Sequence, residues 1–587
     1  MDRDASNPLV ELFRRSSGGW RGCVILVVLC VIAYAPGLAS IAVVDRDEAR
    51  FAQASRQMFE AIALHPDELD PELHDGGLVV PKVQGSLRLS KPPLVYWVQS
   101  ASAALWTGGR PEADALWMYR LPSTIAAVLA VLMTWRLGAR TFDETVGFVA
   151  AGVLAVSPLM IWEAKQARAD HLLLLATTSA LWALWEIRAR PVGSLWRCVW
   201  LFGSIALGVL SKGPVTPMIV GLTAIAMSVV GRDWRWLLRA RPLLGMGIVG
   251  LVLLLWVVPL AMRVGLRQVV DIALFETVGR STASREGHWG PPGYHLFVLM
   301  FLLWPGCLLT LLALGRTWRL AVRLPPSEDV GLKGRLRHLP SRWRERVLGR
   351  DAELFFIAWI VPSWLVFECV ATKLPHYTLP LYPAIAIISV RAVVDAARGA
   401  IDQFTAEKAT VGLNVWFGLG VIVCVVFPIG ASLMGSGWVG VLTGAVAGGG
   451  AGVLLWRARS LAFDGLLLKA QVLGVAAMLL AFGLSMGVIL PRARVLWVNE
   501  QLAALLPADR PIGCYEYFED SLAYLTRGRI ERTIDAKAWL RDNPSGVLIM
   551  PREHSTAELE LNRLGTVGGL NYARGRFVLL DVVERRR

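Results

Sequence analysis

Apolar runs about 20 residues long recur through most of this chain, broken by short stretches rich in charge, Gly or Pro. The runs lack the alternation of barrel strands, and lipid offers no hydrogen bonds to a bare backbone, so the pattern predicts transmembrane helices. The first run covers 22–44 and follows Arg14, Arg15 and Arg21. It is too long for a signal-peptide core and continues directly into charged residues, so it reads as an uncleaved anchor with its N-terminus inside. Further spans are expected near 121–139, 146–163, 171–187, 197–211, 214–230, 243–262, 294–315, 353–371, 376–395, 411–433, 437–456 and 466–490, about thirteen in all. The stretch 94–106 is short for a span. Counting it as one would put Arg136 and Arg140 outside, so it is read as a juxtamembrane helix.

After residue 490 the pattern changes. Strand-like runs at 546–550 and 576–582 alternate with helical text at 535–541 and 556–563. The chain therefore divides into 1–490, a polytopic all-α membrane domain, and 491–587, a small α/β domain that span parity places outside.

Composition agrees. Of 587 residues, 55% are hydrophobic and 18% charged, too apolar for a soluble protein of this length. The net charge of +14 is absorbed by the positive-inside rule, since ten of the cations crowd the loop from Arg316 to Arg350. Nucleic-acid binding is not implied. Six of the seven cysteines lie in or beside apolar spans and only Cys514 lies in the tail, so no disulfide framework is expected.

The same threading brings the remaining polar text to one face. Five charges fill the six positions from Asp45 to Arg50. Asp47 and Arg50 are one helical turn apart, which puts a candidate general base beside a candidate phosphate clamp. Lys91, Arg120, Glu163 to His171, Lys212, Glu276 to His295 and Lys373 to Tyr377 join them. Singly, Lys212 and Lys373 read as interfacial anchors, Arg120 as a span flank and Asp170 as a helix cap. Together they describe a cavity facing outwards, because a carboxylate such as Asp170 opening an apolar helix needs a partner or a role. There is no Walker loop, no zinc spacing and no nucleophile elbow; His288 and His295 are too sparse for a metal. Cations around a few acids at a membrane face fit glycosyl or phosphoryl transfer from a lipid carrier. The alternative is a transporter or lipid flippase, but these concentrate polar groups at mid-membrane with internal symmetry. A scaffold whose tail is the functional part is a third reading. If the site lies in the membrane domain, deletion after about Arg492 is expected to leave donor-dependent activity.

These motifs resemble the GT-C glycosyltransferases of the protein O-mannosyltransferase superfamily, in particular the aminoarabinose transferase (ArnT)-like branch. The resemblance runs to about residue 490. It rests on Asp47-Glu48-Ala49-Arg50 after span one, Lys91-Pro92-Pro93 before Tyr96-Trp97, and Arg120-Leu121-Pro122-Ser123. It continues in Arg168 with Asp170, Phe275 to Arg280, Gly287 to Pro292 and Lys373 to Tyr377. The resemblance implies a GT-C fold, a sugar donor on polyprenyl phosphate, inversion at the anomeric carbon, and a lipid A, glycolipid or protein acceptor on the periplasmic face of a bacterial inner membrane. It implies Asp47 and Asp170 as catalytic residues, and Glu48, Arg50, Lys91, Arg120, Arg280, Lys373 and Tyr377 as substrate-binding ones. Arg50, Lys91 and Arg280 would clamp the lipid phosphate. The aminoarabinose enzymes commonly carry Glu before the Lys-Pro, and Ser90 stands here instead, which removes an acid proposed to hold a metal. No cofactor is expected beyond the lipid-linked donor, no metal site is assigned, and the protein is expected to be a monomer among membrane lipids.

Overall fold

The computed structural model describes residues 8–64, 77–282, 290–322, 351–399, 403–555 and 561–586. Among them, nine helices are long and apolar enough to cross a membrane, the first Leu116–Thr141 and the last Leu467–Arg492. Three shorter apolar helices, Gly19–Tyr34, Glu144–Ala155 and Val215–Gly231, accompany them. The helix Pro242–Val264 shows why lipid must surround this bundle. Leu243, Leu255 and Met262 are each more than two-thirds exposed, a surface that water would not tolerate at this extent. Inside the bundle, small residues let helices approach closely. A Cβ on Gly138 would lie 2.6 Å from the Cα of Gly147, so the helix 116–141 packs backbone to backbone against 144–155.

Ion pairs report which loops share an end. Arg188 reaches both Asp233 (3.3 Å) and Asp351 (3.2 Å), and Arg398 reaches Asp143 (2.8 Å). These are loops that the charge rule assigns to one side. The heart of the expected basic loop, 323–350, lies outside the described residues, as does His288.

Three expected spans differ. The helix of the first expected span, Gly19–Tyr34, stops at Tyr34, and the chain turns at Pro36-Gly37. Gly37 has φ +83°, and a Cβ there would lie 2.5 Å from the carbonyl oxygen of Met486. The chain then runs to Asp47, where a separate helix Asp47–Ala63 begins. The second, 146–163, is interrupted at Ser157-Pro158, because proline removes a backbone donor and its ring clashes with the preceding turn. The third, 294–315, becomes two helices, Tyr294–Leu302 and Thr310–Val322. The juxtamembrane reading of 94–106 matches a helix Leu94–Thr107 of 14 residues, about 21 Å long and short of the hydrocarbon thickness.

A two-residue hairpin, β1 (Lys82–Val83) and β2 (Ser86–Leu87), precedes that helix. The C-terminal sheet holds five strands in the order β4-β3-β5-β7-β6. These are β3 (Ile512–Tyr515), β4 (Ile530–Thr533), β5 (Val547–Pro551), β6 (Leu561–Asn571) and β7 (Arg576–Arg585). β3 lies parallel to β4 and β5, with helices Asp520–Leu525 and Ala536–Asp542 in the crossovers; β7 runs antiparallel between β5 and β6. Ile512, Val547, Ile549, Leu580 and Val582 form its core. The helical reading of 556–563 fails where it can be followed. Residues 556–560 are outside the described set, and 561–563 open β6, where pairing with β7 overrides the local pattern.

This sheet does not hang free. Buried Asp114 accepts from Arg56 (2.6 Å) and Tyr119 (2.7 Å) of the membrane-proximal helices and from Arg527 (2.7 Å) of the C-terminal region. Arg56 also donates to the carbonyl of Tyr524 (2.7 Å) and lies over its ring.

Candidate active site

A cavity of about 840 Å³ opens where the Asp47 helix, the Lys91 turn, the 163–170 turn and the 372–377 segment meet. The two breaks in the apolar runs create it. The stop at Tyr34 frees the chain to carry Asp47 inward, and the break at Pro158 turns Glu163 to Asp170 to face it.

Among the described lining residues are six cationic side chains, Arg46, Arg50, Arg88, Lys91, Arg168 and Lys212, and four carboxyl groups, Asp45, Asp47, Glu163 and Asp170. The rest is largely apolar, including Leu159, Trp162, Leu302, Phe427, Phe482, Met486 and Leu490. One cavity thus offers positive charge and a hydrocarbon surface together.

The charged groups form a chain. Arg168 bridges Asp47 (3.4 Å) and Glu163 (3.2 Å). His376 lies between Glu163 (4.0 Å) and Asp170 (3.8 Å), and Lys212 donates to Asp170 (2.5 Å). Asp47 opens its helix with its side chain 44% accessible from the cavity, yet densely ringed by charge. Burial raises its pKa, but Arg168, Lys91 and Arg88 outweigh that and hold the carboxyl well below the usual range. It is an ionised carboxylate at any physiological pH.

The predicted residues sort into three groups. Asp47, Arg50, Lys91, Asp170 and Tyr377 line the cavity together. Lys91 lies 3.6 Å from Glu276, and the Lys212 ammonium lies 5.6 Å from the Tyr377 ring centre. Glu48, Arg120 and Lys373 do not line it. Glu48 and Arg120 have no exposed side-chain surface and hold each other at two points, 2.8 and 3.0 Å. Lys373 is buried against Glu368 (2.9 Å) and the carbonyl of Pro291 (3.2 Å). In this structure each of these three charges is held by a buried partner and stands outside the cavity lining. Arg280 falls in the helix Leu266–Thr282, but its side chain lies outside the described residues.

Sequence reasoning gathered Glu163, Arg168, Lys212 and His376 on the cavity's face without assigning them a role, and left Arg88 out. The available signal was spacing: Arg88 precedes Lys91 by three residues, and Glu163 and Arg168 flank one short turn. It also missed the C-terminal region, which adds Tyr572 and Ala573 to the cavity wall. The Tyr572 hydroxyl accepts from the backbone of Asp45 (2.8 Å), Arg46 donates to the carbonyl of Ala573 (2.7 Å), and Asp520 pairs with Arg50 (2.7 Å). A tail that supplies cavity wall is not dispensable to the site.

Among the described residues, no group of three or more His, Cys, Asp or Glu side chains has metal-binding geometry. Ser90 lines the cavity without a carboxylate, while Asp47 and Asp170 face cations.

The sequence profile of the family described as dolichyl-phosphate-mannose-protein mannosyltransferase matches residues 90–259. The crystal structure of ArnT from Cupriavidus metallidurans bound to undecaprenyl phosphate superposes with a TM-score of 0.68 over 95% of this chain and 97% of that one, at 17% identity. The chain has the ArnT fold. The GT-C architecture that the motifs implied is therefore present. Similar curated proteins are named undecaprenyl phosphate-alpha-4-amino-4-deoxy-L-arabinose arabinosyl transferase. The one from Edwardsiella ictaluri is 25% identical over 63% of this chain and 58% of its own length. The one from Pseudomonas aeruginosa (strain LESB58) is 25% identical over 64% and 60%. The chain thus spans less than two thirds of these curated relatives. Neither they nor the ArnT fold lend support to a transporter or flippase.

Proposed function

We propose that this protein is an integral-membrane glycosyltransferase that moves a sugar from a polyprenyl-phosphate donor to an acceptor at the periplasmic face. One observation carries the reading: a cavity whose apolar walls suit a polyprenyl chain and whose cations suit its phosphate, with an ionised carboxylate, Asp47, between them. The undecaprenyl phosphate of the ArnT crystal structure and of the relatives' names supports this donor class.

In this reading an acceptor oxygen attacks the anomeric carbon as its bond to the phosphate oxygen breaks, and the electron pair leaves with polyprenyl phosphate. Lys91, Arg50 and Arg168 stabilise the charge that grows on that oxygen. A single displacement inverts the centre. Asp47 is held too acidic to be a strong base in the empty site. It therefore orients the acceptor and balances the cations, and the fit is best for an acceptor oxygen that arrives already anionic. Asp170, held by Lys212, and Tyr377 shape the sugar pocket. The scheme needs no cofactor.

The test is a reconstituted assay. Full-length protein in proteoliposomes is given undecaprenyl-phosphate-linked 4-amino-4-deoxyarabinose, and other polyprenyl-phosphate sugars, with envelope lipid extract, and products are read by mass spectrometry. Wild-type protein should discharge a donor. Asp47→Asn should remain folded and fall by at least about 100-fold. No donor discharged, or near-normal turnover by Asp47→Asn, overturns the reading or the role respectively.

A further inference from the structure

A second opening adjoins the cavity. It is a groove of about 610 Å³ between the β1–β2 hairpin and the edge strand β4 of the C-terminal sheet. The junction is built, since Gln84 of the hairpin turn donates to the carbonyls of Gly528 (3.1 Å) and Ile530 (2.9 Å). Gln84 is held in turn through its backbone N–H by Gln57 (3.1 Å).

The charge in this groove is one-sided. Among its described lining residues are three arginines, Arg50, Arg88 and Arg532, and one acid, Asp520. All three guanidinium groups act on that carboxylate, and Arg50 holds it directly at 2.7 Å. Arg532 projects from exposed β4 and is braced over the Phe518 ring at 3.5 Å, which fixes its plane without consuming its donors. Arg88 also faces Asp47, but Arg50 and Arg532 with the single carboxylate Asp520 still leave the groove net positive, and planar guanidinium donors suit a tetrahedral oxyanion.

Arg50, Arg88 and Ser90 line both openings, whereas Arg532 lines only the groove. The three shared residues form the boundary between the two openings, so a molecule held at Arg532 by a negative group lies beside the donor cavity.

We propose that this groove is an acceptor-side anion site that binds a phosphate monoester, with Asp520 occupying it until the phosphate displaces that carboxylate from Arg50. Calling the ligand an acceptor rests on the glycosyltransferase reading; the anion site itself does not. The C-terminal sheet then selects what may be glycosylated, through Arg532 and Asp520, while the membrane helices hold the donor.

The test is equilibrium binding to full-length protein in nanodiscs, with three probes. Glucose 1-phosphate represents a soluble phosphate, phosphatidic acid a membrane-borne one, and glucose is the neutral control. Wild-type protein should bind at least one phosphate probe and not glucose; which one binds identifies the source. Arg532→Ala should weaken that binding about tenfold, the loss expected for one charge-assisted contact. Arg532→Lys should recover part of it, and Asp520→Asn should tighten it. A polyprenyl-phosphate-linked sugar, a phosphodiester and the donor-side probe, should bind Arg532→Ala within about twofold of wild type. Phosphate binding unchanged in both Arg532→Ala and Asp520→Asn, or glucose binding as well as its phosphate, overturns the site. Failure of wild type to bind the polyprenyl-phosphate-linked sugar would instead count against the glycosyltransferase reading and leave the anion result standing.

Discussion

Arg120 and Glu48 hold each other at 2.8 and 3.0 Å with no exposed surface on either side chain. Around this pair the loop that carries Asp47 is assembled. Arg120 also donates to the carbonyls of Leu38, Ile41 and Ala42, and Glu48 accepts from the backbone of Val44 (2.8 Å) and Ala167 (2.9 Å). One ion pair therefore fixes the segment after Tyr34, the start of the Asp47 helix and the turn before Asp170.

Glu48→Ala removes one partner and strands a buried guanidinium. The expected destabilisation is about 3–5 kcal/mol, seen as a large drop in melting temperature in detergent. Asp47→Asn, one residue away, should melt within a few degrees of wild type. Equal stability of Glu48→Ala and wild type would refute the structural role.

Arg168→Ala should change how Asp47 titrates. With its nearest cation gone, less opposes the effect of burial and the carboxyl pKa rises towards the ordinary range. The acid limb of the kcat profile should move to higher pH and the maximum should fall about 100-fold. A profile lowered in height but unmoved along the pH axis would mean that Arg168 does not govern Asp47.

Asp45 links pH to the docking of the C-terminal sheet. It accepts from the backbone of Ser521 (2.9 Å), and burial, then the neighbouring Glu519 charge, push it up to about 7. Its folded pKa lies above its unfolded value, so the folded protein holds the proton more tightly. That contribution is full below about pH 4 and is lost as pH rises towards about 7. Asp45→Asn, which mimics the protonated form, should flatten this part of the stability curve. Thermal melts from pH 4 to 8 decide it, and an unchanged slope in the variant would exclude Asp45.

Truncation after Arg492 should abolish transfer rather than spare it. The tail supplies Tyr572 and Ala573 to the cavity and Asp520 to Arg50. Because truncation can also unfold the junction, Tyr572→Ala in the full chain is the companion measurement. A several-fold loss of donor-dependent turnover is expected there, and full activity in both variants would return the site to the membrane domain alone.

The order of apolar runs already specified a polytopic helical protein, because only helices satisfy the backbone in lipid. Charge bias and span parity sorted its loops, which is why Asp47, Lys91, Asp170 and Tyr377 could be grouped before any of them was seen to meet. Pattern could not tell which charges are spent. Glu48, Arg120 and Lys373 look like Asp47, Arg50 and Lys91 in sequence, yet the first three are neutralised in buried pairs while the others face the cavity. Partner choice between residues 72 apart, or 470 apart for Arg50 and Asp520, is a property of packing, to which local periodicity is blind. The sequence by itself determined that this chain crosses a membrane many times and gathers charge at one end. Only the tertiary structure decided which of those charges remain available to a ligand, and that the C-terminal sheet stands among them.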